Sequence, residues 1–165
     1  MTDIKIKEIP EHIAYTAEFD IDDYYDFFDF ETDSNSLVDL EELMHRENPD
    51  VNVPEMPNDY NYFTHPQGVV PKGRMHIHYY DMVDRAGIDN ADGKYRFVVV
   101  PKIRAACMMH RGSFRTIDKT IRSAFSEIGK AGFTVCGDSR ISAIHGPWDR
   151  ENLSDHLAEI QIPIE

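Results

Sequence analysis

The sequence is short of cysteine, tryptophan and positive charge, and it has no long apolar run. Its 165 residues include two cysteines, Cys107 and Cys136, which form neither a disulfide framework nor a metal motif and read as reduced thiols. Nowhere do 18 apolar residues follow one another, so no membrane-spanning helix is expected, and no basic N-terminus leads into an apolar segment as a signal peptide requires. Cytoplasm is the expected location. Lysine and arginine number 17 against 30 aspartates and glutamates, a formal net charge of -13. Such a surface repels phosphate backbones and anionic membranes, so direct nucleic-acid or membrane binding is not expected. GxGxxG, GxxxxGK[ST] and GxSxG are all missing, which removes phosphate-cradling and serine-esterase chemistry and leaves no cofactor to expect.

What is present describes a folded globule. Hydrophobic residues make up 41% and charged residues 28%, over a length that suits one compact unit. Eight tyrosines and nine phenylalanines supply apolar area together with hydroxyls, the mixture that ligand-enclosing walls need.

A repeat is concealed by unequal spacing. The opening IKIKEIPEHIAYTAEF reads as a strand interrupted or bulged at Pro10, and YRFVVVPKIRAACMMHRG repeats the arrangement around Pro101. Each is followed by a helical stripe: Leu37, Leu40, Leu43 and Met44 in the first case, and Phe114, Ile117, Ile121, Ala124, Phe125 and Ile128 in the second. Asn48-Pro49 stops the first helix, and Ser113 or Thr116 caps the second. Two shorter strands then follow each helix, DYNYFTHP and RMHIHYYDMV, later SRISAI and LAEIQIPI. Pro10 and Pro101 are 91 positions apart, whereas His78 and Glu159, near the middles of the final strands, are 81 apart. The expected fold is therefore α+β, a tandem duplication of strand-helix-strand-strand, with module one at 1–91 and module two at 92–165 forming a single domain. Each module is expected to be a three-stranded sheet covered on one face by its helix, with a groove between the uncovered faces.

Strand residues two apart share a face. Ala158, Ile160 and Ile162 suit the helix side, which leaves Leu157, Glu159 and Gln161 for the groove. In the matching strand Ile77, Tyr79 and Asp81 share one side, with His76, His78, Tyr80 and Met82 opposite. Tyr60 and Tyr62 share a face, as do Cys107 and Met109. Glu159 reads either as a solvent-facing carboxylate of an amphipathic sheet or as the charge in an aromatic-walled site, where a cation or donors must stabilise it. His76-Ile-His78 is the one local array suggestive of a metal, with His110 and His145 as candidate third ligands. No HExxH or cysteine pair accompanies it, so no metal is assigned. Cys107 reads as a buried structural thiol. Trp148, the single tryptophan, reads as a lid over the second sheet or as an aromatic wall of the groove.

Three stretches in order, VVVPKIRAACMMHRGSF, AFSEIGKAGFTVCGDSRISAIHGPW and LAEIQIPI, resemble the GyrI-like small-molecule-binding domain, the effector-binding half of many MerR-type and AraC-type transcription regulators. KEIPEHIAY and KGRMHIHYYDMV carry the resemblance more loosely, so that it spans residues 4 to 164. It implies pseudo-twofold symmetry and a multidrug or metabolite pocket between the modules. The position matching the family's ligand-binding glutamate is Glu159. Tyr60, Tyr62, Tyr80 and Trp148 are candidate walls from their facing, and His78 and Met109 complete the set. His78 departs from the acidic residue that relatives often have there, and this chain has no room before the domain for the regulators' DNA-binding region.

The expected function is a standalone sensor or sequestering protein for a hydrophobic, cationic or aromatic small molecule. The alternative is a hydrolase of electrophilic, cyclopropane-type compounds, as some standalone relatives are, with Glu159 and Tyr80 as its catalytic residues. A third reading is an antagonist that meets a protein partner through the acidic segment Asp20 to Glu42, with Tyr24, Tyr25, Phe27, Phe28 and Phe30 interleaved.

Overall fold

The computed structural model describes residues 4–24, 34–54, 61–146 and 149–165. Within them the chain runs β1 (Lys5–Ile9), β2 (His12–Ile21), α1 (Ser34–Glu47), β3 (Asn61–His65), β4 (Met75–Val83), β5 (Arg96–Val100) and β6 (Ile103–Arg111). A 3₁₀ turn (Phe114–Thr116) leads into α2 (Ile117–Lys130), then β7 (Ser139–His145), a second 3₁₀ turn (Leu153–Asp155) and β8 (Leu157–Pro163). The strands form one antiparallel sheet, curled into a half-barrel, in the order β1-β6-β8-β7-β3-β4-β2-β5.

This single sheet replaces the expected pair of three-stranded sheets, and the two prolines explain the difference. Proline has no N–H to give to a ladder. At Pro10 the chain changes partners: Lys5–Ile9 pairs with β6, whereas His12–Ile21 pairs with β4 and β5. The same happens around Pro101, with β5 on β2 and β6 on β8. Each leading strand thus crosses to the other half, and what reads as one bulged strand is two strands in different places.

The registers bear out the unequal repeat. Ala14 lies opposite Met82. The residue 91 positions after Ala14 is Ala105, which lies opposite Pro163, 81 positions after Met82. Under the same offsets the pair Glu18 and His78 maps onto Met109 and Glu159. The extra residues of the first half therefore sit in its connections and leave the sheet register untouched, as they must, since a one-residue slip would turn every side chain to the opposite face.

The two helices of the described residues, α1 and α2, lie on one face. Leu40 and Met44 of α1 and Ile117, Ile121, Ala124 and Ile128 of α2 join Tyr15, Ile77, Ile141, Ile160 and Ile162 of the sheet in one core. Leu37, Leu43 and Phe125 pack against it half-buried. Of the two candidate caps, Ser113 accepts from the Arg115 N–H at 3.2 Å and so caps the 3₁₀ turn, while Thr116 makes no side-chain cap. Asn48 does more than stop α1. It is buried, accepts the Ile88 N–H at 2.7 Å and donates to the Tyr95 hydroxyl at 3.0 Å, tying the helix end to the connection before β5.

Asp81 faces the helices with Ile77 and Tyr79, as the alternation implies. Tyr15 donates to its Oδ2 at 2.7 Å, and Oδ1 has no hydrogen-bond partner among the described residues. Burial, reinforced by the charge of Glu41, pushes the Asp81 carboxyl up to about 7.

Two stability measurements test this packing. Ile121 is fully buried, so Ile121→Ala should lose about 2–5 kcal/mol in urea unfolding, while Ile88→Ala, at a position 79% exposed, should change stability by less than about 0.5 kcal/mol. Because Asp81 holds its proton more tightly folded than unfolded, its contribution is full near pH 4 and is lost as pH rises through about 7. Asp81→Asn should therefore be more stable than the parent at pH 8, with the difference vanishing at pH 4; an unchanged pH dependence would remove Asp81 as its source.

Candidate functional site

Directly opposed residues in an antiparallel sheet share a face. On the face turned away from the helices, one row runs Met109, Glu159, Ser142, and the β3–β7 register continues it to Tyr62, Tyr80 and Thr16. The adjoining row runs Cys107, Gln161, Arg140, Thr64, His78 and Glu18. Glu159, the position that the resemblance implies, shares the first row with the candidates Tyr62, Tyr80 and Met109, and His78 lies in the next. Tyr60 and Trp148 lie outside the described residues.

Glu159 is neither wet nor unpaired. Only 5% exposed, it accepts from Lys7 Nζ at 2.7 Å and from Gln161 Nε2 at 2.9 Å. These are the cation and the donor that a desolvated carboxylate requires. Lys7 arrives on β1, opposite Ala105, only because that strand crosses to the second half of the sheet. Its side chain is 42% exposed, against 7% for that of Glu159. One partner of the pair is open to water and the other is fixed in the wall.

The tyrosine end is a stack. Tyr62 and Tyr80 lie 5.1 Å apart at 13°, and the His78 ring follows Tyr80 at 6.5 Å and 15°. The Arg140 guanidinium sits 4.9 Å from the centre of the Tyr62 ring. A ring nitrogen of His12 is 2.7 Å from the Tyr62 hydroxyl, and burial raises that hydroxyl's pKa. Arg140 Nη1 is buried and has no hydrogen-bond partner among the described residues. A cavity of about 550 Å³ is lined by Tyr62, Thr64, Tyr80, Arg140, Val98 and Val100, with the connection between β5 and β6. Glu159 and Met109 do not line it, so the carboxylate and the tyrosines stand at different places along the same row. A second cavity, of about 790 Å³, lies between α1 and the edge of β2 and is lined by residues that include Glu18, His78, Leu40 and Tyr95.

Other candidates fall elsewhere. Cys107 is buried with its Sγ 3.9 Å from the Ala105 carbonyl, as a structural thiol would be. His110 is held between Thr120 Oγ1 and the Ser113 carbonyl, and His145 against Asp149. Neither joins His76 and His78. Tyr24 is fully buried, whereas Tyr25, Phe27, Phe28 and Phe30 lie outside the described residues. Lys7, His12 and Arg140 were missed from sequence. For Arg140 the alternation of SRISAI carried a signal, since it shares a face with Ser142; for Lys7 and His12 the exchanged strand carried none.

No family model and no curated protein matches the sequence. Among solved structures, the EcmrR C-terminal domain matches with a TM-score of 0.87 at 20% identity, covering 100% of this chain and 98% of that one. EcmrR in its complex with DNA matches at 0.84 and 21%, covering 99% of this chain and 57% of that one, so this chain spans a little over half the length of that protein. A hydrolase encoded by lin2189 from Listeria innocua matches at 0.64 and 10% identity, covering 99% and 92%. SAV2435 bound to tetraphenylphosphonium matches at 0.58 and 10%, covering 99% and 94%. No helix among the described residues is long and apolar enough to cross a membrane. The sheet order, the paired helices and the uncovered sheet face together make this the GyrI-like fold, that of the EcmrR C-terminal domain.

Proposed function

We propose that the chain binds a hydrophobic organic cation against the uncovered face of its sheet, with Glu159 as the charge partner and Tyr62, Tyr80 and Met109 as apolar contacts. The observation that carries this reading is Glu159 itself: a carboxylate buried on the face remote from the helices, in the same row as two stacked tyrosines and neutralised by a half-exposed lysine. A sheet face that is merely solvated has no reason to bury a carboxylate.

Lys7 occupies the place that a ligand cation would take. The Lys7 ammonium is the exposed member of the pair, so it can be rehydrated as a ligand cation takes over the buried carboxylate, and Glu159 is not left uncompensated. Tyrosine faces add about 0.5–2 kcal/mol for a cation placed over them. Arg140 contributes the opposite preference, because its unpartnered Nη1 favours a ligand with an acceptor oxygen. A cationic aromatic ligand bearing a carbonyl would satisfy both groups. A role as sensor or scavenger follows from the same chemistry, and the location expected for either is the cytoplasm.

Hydrolysis is the lesser reading. Acid and base must both come within about 3 Å of the reacting atoms, yet Glu159 and Tyr80 are separated by the two strands β7 and β3, and Tyr80 is engaged in the ring stack.

Calorimetry with tetraphenylphosphonium and its isosteric anion tetraphenylborate separates charge from shape. The cation should bind more tightly, Glu159→Gln should weaken it about tenfold, and Lys7→Met should strengthen it about threefold by removing the internal competitor. Equal affinity for the two ions, or no effect of Glu159→Gln, would overturn the proposal. Replacing Tyr62 by leucine should likewise cost the cation about tenfold. Tyr80→Phe keeps the stack, so affinity should be retained.

A further inference from the structure

Two neighbouring histidines and a glutamate distant from them in sequence meet where β2 lies against β4. The register places Glu18 opposite His78 and Asp20 opposite His76. Glu18 Oε1 stands 3.4 Å from His76 Nε2 and also 3.4 Å from His78 Nε2. One ligand atom from each of the three residues lies within 4.8 Å of the other two. In a tetrahedron with metal–ligand bonds of about 2.0–2.1 Å, neighbouring ligand atoms are about 3.3–3.4 Å apart. The two observed separations have the length of two edges of that tetrahedron.

The surroundings have the form of a metal site as well. His76 Nδ1 is 2.7 Å from Asp20 Oδ1. With its proton on Nδ1 the ring donates to Asp20, and the Nε2 lone pair is left for a metal, the carboxylate–histidine–metal arrangement that fixes ring and tautomer. The two imidazoles are 5.2 Å apart and perpendicular, so their nitrogens approach Glu18 from different directions. A simple surface ion pair would join one carboxylate to one imidazole, whereas here a single oxygen is equidistant from two. The repeat does not reproduce the set, since the equivalents of Glu18, His76 and His78 are Met109, Leu157 and Glu159.

We propose that Glu18, His76 and His78 bind a zinc-class divalent transition metal, with Asp20 as the positioning residue for His76. Two imidazoles and one carboxylate suit zinc, nickel or copper, while calcium and magnesium require more oxygen ligands. Three protein ligands leave one tetrahedral position for water or a ligand atom. Glu18 and His78 both line the cavity of about 790 Å³ between α1 and β2, so an occupant of that cavity can reach the fourth position. Glu18 and His76 are about half-exposed or more, so the ion enters directly from solvent. The assignment does not rest on what the sheet row binds beside Glu159.

The metal-stripped 165-residue chain is titrated with zinc against a chromophoric chelator, and with cobalt to read the absorption of a tetrahedral centre. One equivalent should bind, with an intense tetrahedral cobalt spectrum. His76→Ala and His78→Ala should each weaken binding at least about tenfold, and Asp20→Asn about 10–100-fold. His145→Ala should leave binding unchanged. All four positions are partly or largely exposed, so far-ultraviolet circular dichroism should confirm that the variants fold. Absence of saturable zinc binding in the parent, or undiminished one-to-one binding in the His76→Ala/His78→Ala double variant, would overturn the assignment.

Discussion

The ion pair between Lys7 and Glu159 joins the first strand of the chain to the last, and it exists only because the leading strands are exchanged. Were β1 to continue along β2, Lys7 would lie in the first half of the sheet and Glu159 would be a desolvated carboxylate without a cation, an arrangement that costs several kcal/mol. Exchange supplies the cation. It also places β5 on the far edge of β2, so that Val98 and Val100 close one wall of the cavity holding the tyrosine stack. One topological feature therefore sets both ends of the candidate groove.

The two halves of the repeat carry different chemistry at equivalent places. Cross-strand pairs at equivalent places carry Glu18 and His78 in one half, Met109 and Glu159 in the other. The carboxylate has changed strands between the halves, from β2 to β8. In the first half it lies near the sheet edge beside two imidazoles and remains exposed; in the second it lies between β6 and β7 and is buried. The same scaffold position offers a hydrated ligand set on one side and a desolvated charge on the other, because neighbours rather than the backbone decide the dielectric around each carboxylate.

Much of this was legible in the sequence, for a physical reason. Strand alternation and the helical stripe are local, so the facing of Glu159, His78, Tyr80 and Asp81 and the buried stripes of both helices could be read without knowing any tertiary contact. The offsets of 91 and 81 were legible as well, because antiparallel ladders transmit register rigidly. What stayed hidden was pairing across the two halves. Nothing near Pro10 says that Lys5–Ile9 leaves for β6, so the counter-ion of Glu159 was invisible even though its need for one was plain. Glu18 lies about 60 positions before His76 and His78, so nothing local marks it as their third partner, and His110 and His145, which residue type alone suggests, are spent on local hydrogen bonds.

The stack gives the sheet a continuous element from one candidate site to the other. Arg140, Tyr62, Tyr80 and His78 follow one another across β7, β3 and β4, ring upon ring, and His78 Nε2 ends the series at Glu18. Tyr62 and Tyr80, stacked at 5.1 Å, cannot reorient singly without losing that contact, and the partly exposed His78 ring borders Tyr80. An ion fixing His78 would therefore restrict Tyr80 and Tyr62, while a ligand that displaced the tyrosines would move the imidazole. Any coupling that results acts equally in both directions, as linkage requires, and its sign is set by whether the two occupants favour the same arrangement of the stack.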